Sequence, residues 1–218
     1  ARTNPLAARG ALQGEGVIAG FRAGASDNYL YSLNAQSCVV VTLYNPATRM
    51  GAVIHVDHNI RALLENSLDT ALVRIGRPSA DQLKATLVGG DWLSGGADIG
   101  GPLKSILAGK GVTPVWDHWS YSSCFGNNYG VALDLASGAT TVFTTTRSAV
   151  AEVVDPLLRE ATAGGTSLIA QRGRRFIARF RQEPLVQRAD GTVRTPSGEV
   201  ASAAKINEQA VMLHLLAD

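Results

Sequence analysis

Cysteine is scarce in this sequence. Two residues in 218, Cys38 and Cys124, cannot build a disulfide scaffold; they leave one bridge or two free thiols. We take them as free thiols of a reducing compartment. Lysine is scarcer than arginine, with only Lys84, Lys104, Lys110 and Lys205, and the net charge is +2, so bulk electrostatics names no partner. No apolar run reaches the ~18 residues of a membrane span. No clustered Cys/His set has ligand spacing, so a structural zinc is not expected. Residues 95–101 are glycine-rich but lack the lysine of a phosphate loop. There is no basic-then-apolar leader, and a chain opening on Ala1 reads as trimmed or excised; export without a cleaved leader stays open. No internal repeat and no low-complexity tract is present.

What is present is a 45 % apolar chain with 23 glycines, enough for a sizeable core with many turns. The pattern predicts an α+β domain with an appendage. Residues 1–14 read as a loose arm, 15–163 as the main domain, and 164–218 as an arginine-rich extension packed on it. Strands are expected over residues 16–21 and 83–88, and at an edge over 112–119, where Pro114 interrupts the ladder. A hairpin is expected over 129–145. Ile60, Leu64, Leu68, Ala71 and Ile75 share one helical face, with Asn59 as N-cap and Gly76 as stop. A second helix holds Pro102 near its start. A third, over 148–162, should kink or restart at Pro156. Arg172, Arg174, Arg175, Arg179 and Arg181, around Phe176 and Phe180, read either as a solvated strand face with both Phe side chains turned inward or as a phosphate or acidic-partner patch, the first being preferred. The last residues, 203–216, look helical.

The chemistry concentrates between Ser32 and His55. A polar loop carries Ser32 and ends at Cys38. A strand rich in β-branched residues follows, then the turn-forming pair Asn45-Pro46, then a strand carrying His55. A turn centred on Pro46 and Ala47 pairs residues whose numbers sum to 93. Cys38 and His55 would then face each other with Cβ atoms roughly 4.5–5.5 Å apart. A free thiol, with a pKa of about 8.5, needs a neighbouring base to attack an amide carbonyl. His55 would take that proton and later protonate the leaving nitrogen. Ser32 is the candidate to orient the ring. His58 reads as a solvated loop histidine beside Asp57, and Cys38 competes with its reading as a small buried hydrophobe.

These residues resemble the chemoreceptor glutamine deamidases, the CheD family. That family has a Thr six residues before the cysteine of a Ser-Cys pair, an apolar strand, a turn, and a catalytic His 17 residues after the Cys. Ser32 stands at the Thr position, Ser37-Cys38 match the pair, and 55 minus 38 is 17. Val88-Gly89-Gly90, Ile99-Gly100 and the loop at Gly126 to Gly130 continue the likeness, which covers residues 16–145. The resemblance implies a CheD-like layered β-sandwich with helices packed outside, an architecture shared with deamidase toxins such as the cytotoxic necrotizing factors and Burkholderia lethal factor.

It further implies hydrolysis of a protein glutamine side chain, with Cys38 as nucleophile, His55 as base and acid, and Ser32 as orienter. Asn34, Gln36 and Ser37 become candidates for the substrate and oxyanion pocket, where the family has small glycine-rich residues. The implied partner is a protein presenting an exposed glutamine, with no nucleic acid favoured, and no metal or organic cofactor is implied. The implied setting is the bacterial cytoplasm, or a target cell reached by a secreted effector. Transglutamination or peptide cleavage on the same Cys-His site is the second expectation, and a non-catalytic binding module using the arginine-rich tail is the third.

Overall fold

The structure of the chain, a computed structural model, describes residues 9–91, 95–114, 116–117 and 128–216. The loop that carries Cys124 lies outside the described residues. The fold is α+β. A six-stranded sheet runs in the order β12 (Met212–Leu215), β2 (Glu15–Gly20), β5 (Met50–Val56), β4 (Val39–Asn45), β6 (Lys84–Gly89), β7 (Trp116–Asp117). A four-stranded sheet runs β1 (Gly10–Ala11), β3 (Tyr29–Ala35), β8 (Asn128–Asp134), β9 (Thr140–Thr145). A small hairpin joins β10 (Val186–Gln187) and β11 (Val193–Arg194).

The two sheets pack face to face. Leu30, Val131 and Leu133 from one meet Val17, Val40, Val53 and Val88 from the other. The opposite face of the six-stranded sheet, with Val39, Val41, Leu43, Ala52 and Ile54, is covered by α1 (Arg61–Arg74) and α2 (Ala97–Gly109) through Leu64, Leu68, Leu103 and Leu107. Because β4 is buried on both faces, it reads as a continuous apolar run rather than an alternating one. Each such side chain removed from water contributes about 1.5–3 kcal/mol. The outer face of the four-stranded sheet, with Tyr31, Leu33 and Ala132, is covered by α3 (Arg147–Thr162) and α4 (Leu168–Phe180) through Val153, Leu157, Ile169 and Phe176. The result is four layers, helices outside and two sheets within.

Several expectations change. Residues 9–14 are not a loose arm: Gly10–Ala11 form β1, parallel to β3, and Ala11 and Leu12 are buried. The arginine-rich segment is a helix, not a strand. Ile169, Ala170, Gly173, Phe176 and Ile177 recur at helical spacing, and α4 turns that face to α3. Phe180, expected inward, is 70 % exposed. The helix α3 continues through Pro156 with no fresh start there. Pro102 sits in the second turn of α2, not at its first position. The end of the chain is only partly helical: α5 (Ala203–Glu208) gives way to β12, which adds to the main sheet parallel to β2. The extension is therefore built into the core sheet, and β7 does take an edge as expected.

Asn59 does not cap α1. Ile60 takes that position, and the free Arg61 N–H donates to Gln187 Oε1 of β10 at 2.6 Å. Asn59 instead pairs with the Gln187 backbone, donating to its carbonyl at 3.1 Å and accepting from its amide at 2.9 Å.

Candidate active site

Ser32 lies within strand β3, not in a loop, on the same face as Leu30. His55 lies on β5, on the same face as Val53. Those faces oppose each other, so the two side chains meet in the gap between the sheets. Ser32 Oγ is 2.8 Å from His55 Nδ1 and 2.7 Å from the carbonyl oxygen of Ala11. A hydroxyl has one proton and a carbonyl can only accept. Ser32 therefore donates to Ala11 and accepts from Nδ1–H of His55. That fixes the ring tautomer. Burial holds the His55 pKa down to about 4, so the ring is neutral at pH 7 and Nε2 is a lone pair. Nε2 is buried and has no hydrogen-bond partner among the described residues.

A bulge helps place the hydroxyl. Ser32 pairs with Val131, but the next pair is Ala35 with Tyr129, so β3 carries an extra residue just past Ser32. Asn34 lies in this bulge with φ +64, exposed. It lines, with His55, Leu12, Val154 and Phe176, a cavity of about 30 Å³, room for a single water.

The expected pairing of Cys38 with His55 does not occur. Val40 is the residue opposite His55, and the last pair of the ladder is Val39 with Val56. The connection is a four-residue loop between Asn45 and Met50, closed by the Arg49 amide donating to the Asn45 carbonyl at 2.8 Å. Paired numbers therefore sum to 95 rather than 93. Because the shift is even, Val40 and His55 point toward the same face. Cys38 lies in the bend just before β4, near enough to Asp57 to feel its charge.

The loop before Cys38 is stitched to the end of β6. The Gly90 amide donates to the Cys38 carbonyl at 3.0 Å, and the Asp91 amide to the Gln36 carbonyl at 2.7 Å. Gly89 has φ +99, and a Cβ there would stand 2.5 Å from the Cys38 carbonyl oxygen. Only glycine permits both the conformation and the approach. Gln36 and Ser37 are half-buried in this loop.

Electrostatically the site is dry. Burial, and then the Asp57 charge, push the Cys38 thiol up to about 12, against the opposing influence of the Ser37 hydroxyl and Arg179. Asp57 is itself buried, which alone would raise its pKa. The Arg179 guanidinium, bonded through Nε at 2.8 Å and a terminal nitrogen at 2.7 Å, overrides this and holds the carboxyl below its ordinary value. Gln13 adds a third bond to Asp57 at 3.2 Å. His58 is buried rather than solvated; burial holds it near 4, and its Nδ1 accepts from the Ile60 amide at 3.1 Å.

The fold thus joins Ser32 to His55, with Asn34 lining the cavity beside the ring, and sets Cys38 near Asp57, with Gln36 and Ser37 in the loop before it; among the described residues no hydrogen bond links Cys38 to His55. It also recruits Ala11 and Gln13, which the sequence did not single out, and Arg179, which it offered only as one of the arginine-rich run. Arg179 is 122 residues from Asp57, and no local signal links them. Among the described residues no group of three or more His, Cys, Asp or Glu is placed to hold a metal ion, and no helix is long and apolar enough to cross a membrane. No protein-family model matches the chain, and no curated protein matches it either.

Proposed function

We propose that this chain is a cysteine-dependent protein glutamine deamidase of the CheD-like kind. The observation that carries the reading is the Ser32–His55 hydrogen bond at 2.8 Å, which orients the ring and leaves Nε2 bare. An orienter, a base nitrogen free to accept a proton and a neighbouring thiol are the elements that nucleophilic acyl transfer needs.

In the proposed reaction the Cys38 proton passes to His55 Nε2 as the sulfur attacks the glutamine side-chain carbonyl. The thiol and the ring rest as a neutral pair, so proton transfer accompanies attack rather than preceding it. The resulting oxyanion is held by the Cys38 backbone amide, with Asn34, Gln36 or Ser37 as second donor. His55 returns the proton to the departing nitrogen, ammonia leaves, and a thioester remains. Water, deprotonated by His55, attacks the thioester; glutamate is released and the thiol is restored.

Binding through the arginine-rich tail is supported less well, because most of those arginines are engaged internally. Arg172 is buried against Glu15 and the Gly10 carbonyl, Arg179 against Asp57, and Arg174 donates to the Gly165 carbonyl. The test is intact-mass analysis of a glutamine-bearing protein substrate, with a primary amine offered in parallel. The wild-type chain should produce the mass change of an amide-to-acid exchange, and Cys38→Ala none. Equal action by both proteins removes Cys38 from the reaction; incorporation of the amine in place of water makes the chain a transglutaminase.

A further inference from the structure

Resting on the reading of Cys38 and His55 as the reactive pair, we propose that Arg179 is a positioning residue for that pair. It fixes and neutralises Asp57 at the mouth of the inter-sheet gap, which makes helix α4 of the extension part of the site. The geometry is a bidentate fork. Arg179 holds both Asp57 oxygens, at 2.7 and 2.8 Å, and anchors itself on the Gln209 and Ala210 carbonyls at 2.7 and 3.0 Å. Its side chain crosses directly over Gly14, where a Cβ would stand 1.8 Å from Nε. The Gly14 amide in turn donates to the His55 carbonyl at 3.0 Å. One guanidinium therefore ties α4, the turn before β2, the segment before β12 and the end of β5 together, two residues from His55.

The electrostatic consequence follows from what surrounds the pair. The charges that reach His55 are Asp57 beyond the end of its own strand, Arg179 on α4, and Glu15 on β2. Glu15 is already engaged by Arg172 at 2.8 Å and His214 at 2.8 Å. His58 faces Asp57 but is held neutral by burial. Cys38 feels Asp57 and Arg179. Removing Arg179 leaves an unpaired carboxylate against both reactive groups, which favours a protonated ring, unable to take the proton, and a thiol that releases its proton less readily.

The experiment titrates His55 by NMR with labelled imidazole and measures the alkylation rate of Cys38 in the full chain, neither of which needs a substrate. Arg179→Gln should raise the His55 pKa by about one unit and slow alkylation about tenfold, a one-unit shift being a tenfold change in proton affinity. Asp57→Asn should do the reverse, speeding alkylation, and it covers the case in which Arg179→Gln does not fold. The double variant Asp57→Asn with Arg179→Gln should return both readings toward wild type. A structural role alone would leave the titration in place and give no rescue. Unmoved His55 and Cys38 readings in Asp57→Asn and in any folded Arg179→Gln protein overturn the proposal. Shifted readings in a protein that deamidates nothing overturn the deamidase reading and leave the electrostatic role of Arg179 intact.

Discussion

Ser32 and His55 meet across two sheets, hydroxyl to Nδ1 at 2.8 Å, although neither residue lies on a strand that pairs with the other's. The bond exists because two inner faces, each selected by its own alternation of apolar residues, press together at that point. It follows that the ring's orientation depends on the packing of the sandwich as a whole.

Ser32→Ala removes the acceptor for Nδ1–H and the donor for the Ala11 carbonyl. Each buried group left unpaired costs about 1–3 kcal/mol. Activity should fall by about 10²-fold, the low end of what a positioned general base supplies. Ser32→Thr keeps the hydroxyl and should retain most of both. Denaturant melts and turnover measured on the two variants check this; equal losses in both would show that the hydroxyl is irrelevant.

Acid should destabilise the fold earlier than carboxylate protonation alone allows. His55 and His58 are both held near 4, against 6.5 when unfolded. Their folded values are depressed, so the unfolded chain binds protons first as pH falls. Stability is full above about pH 6.5 and is lost between there and 4, by about 3 kcal/mol per histidine. Glu15, held near 2 against 4.5, adds a further loss only below pH 4.5. Urea unfolding at pH 7.5 and pH 5 should show the histidine contribution, and His58→Gln should flatten the slope between those pH values. Equal stability at both pH values in the wild-type chain would contradict the burial of the two rings.

Cys38 should alkylate slowly at neutral pH, with a rate still climbing beyond pH 9, because the thiol is pushed up to about 12. An ion-paired thiolate would instead plateau in mild acid. Iodoacetamide rates across pH, with the modified peptide identified by mass spectrometry, separate the two; a plateau near pH 6 would show a preformed thiolate.

Gly89→Ala should displace the cysteine loop. It places a Cβ 2.5 Å from the Cys38 carbonyl oxygen at a backbone φ of +99. The expected cost exceeds about 1 kcal/mol, since Ala is strained there as well as crowded. Thermal unfolding and turnover should both fall. Gly191→Ala, also at positive φ but with nothing near its missing side chain, serves as the control for conformational strain without the clash.

The amino-acid sequence by itself carried the elements whose signal is local. The β-branched run of β4, the helical stripe Leu64, Leu68, Ala71, and the turns at Ser137-Gly138 and Asp190-Gly191 each encode their own backbone within a few residues. It placed Cys38 and His55 at the same end of one hairpin, but did not set their register: Val40, not Cys38, stands opposite His55. Tertiary structure decided the rest. The register moved because a four-residue loop and a two-residue turn look alike around Asn45-Pro46. Ser32 found His55 by sheet stacking, and Arg179 found Asp57 because α4 packs over the start of β2. Packing buried His58, expected in solvent, and gave Asp57 its partner Arg179. Such contacts form between residues far apart in the chain. They are fixed by which faces must leave water together, and no local pattern records that choice.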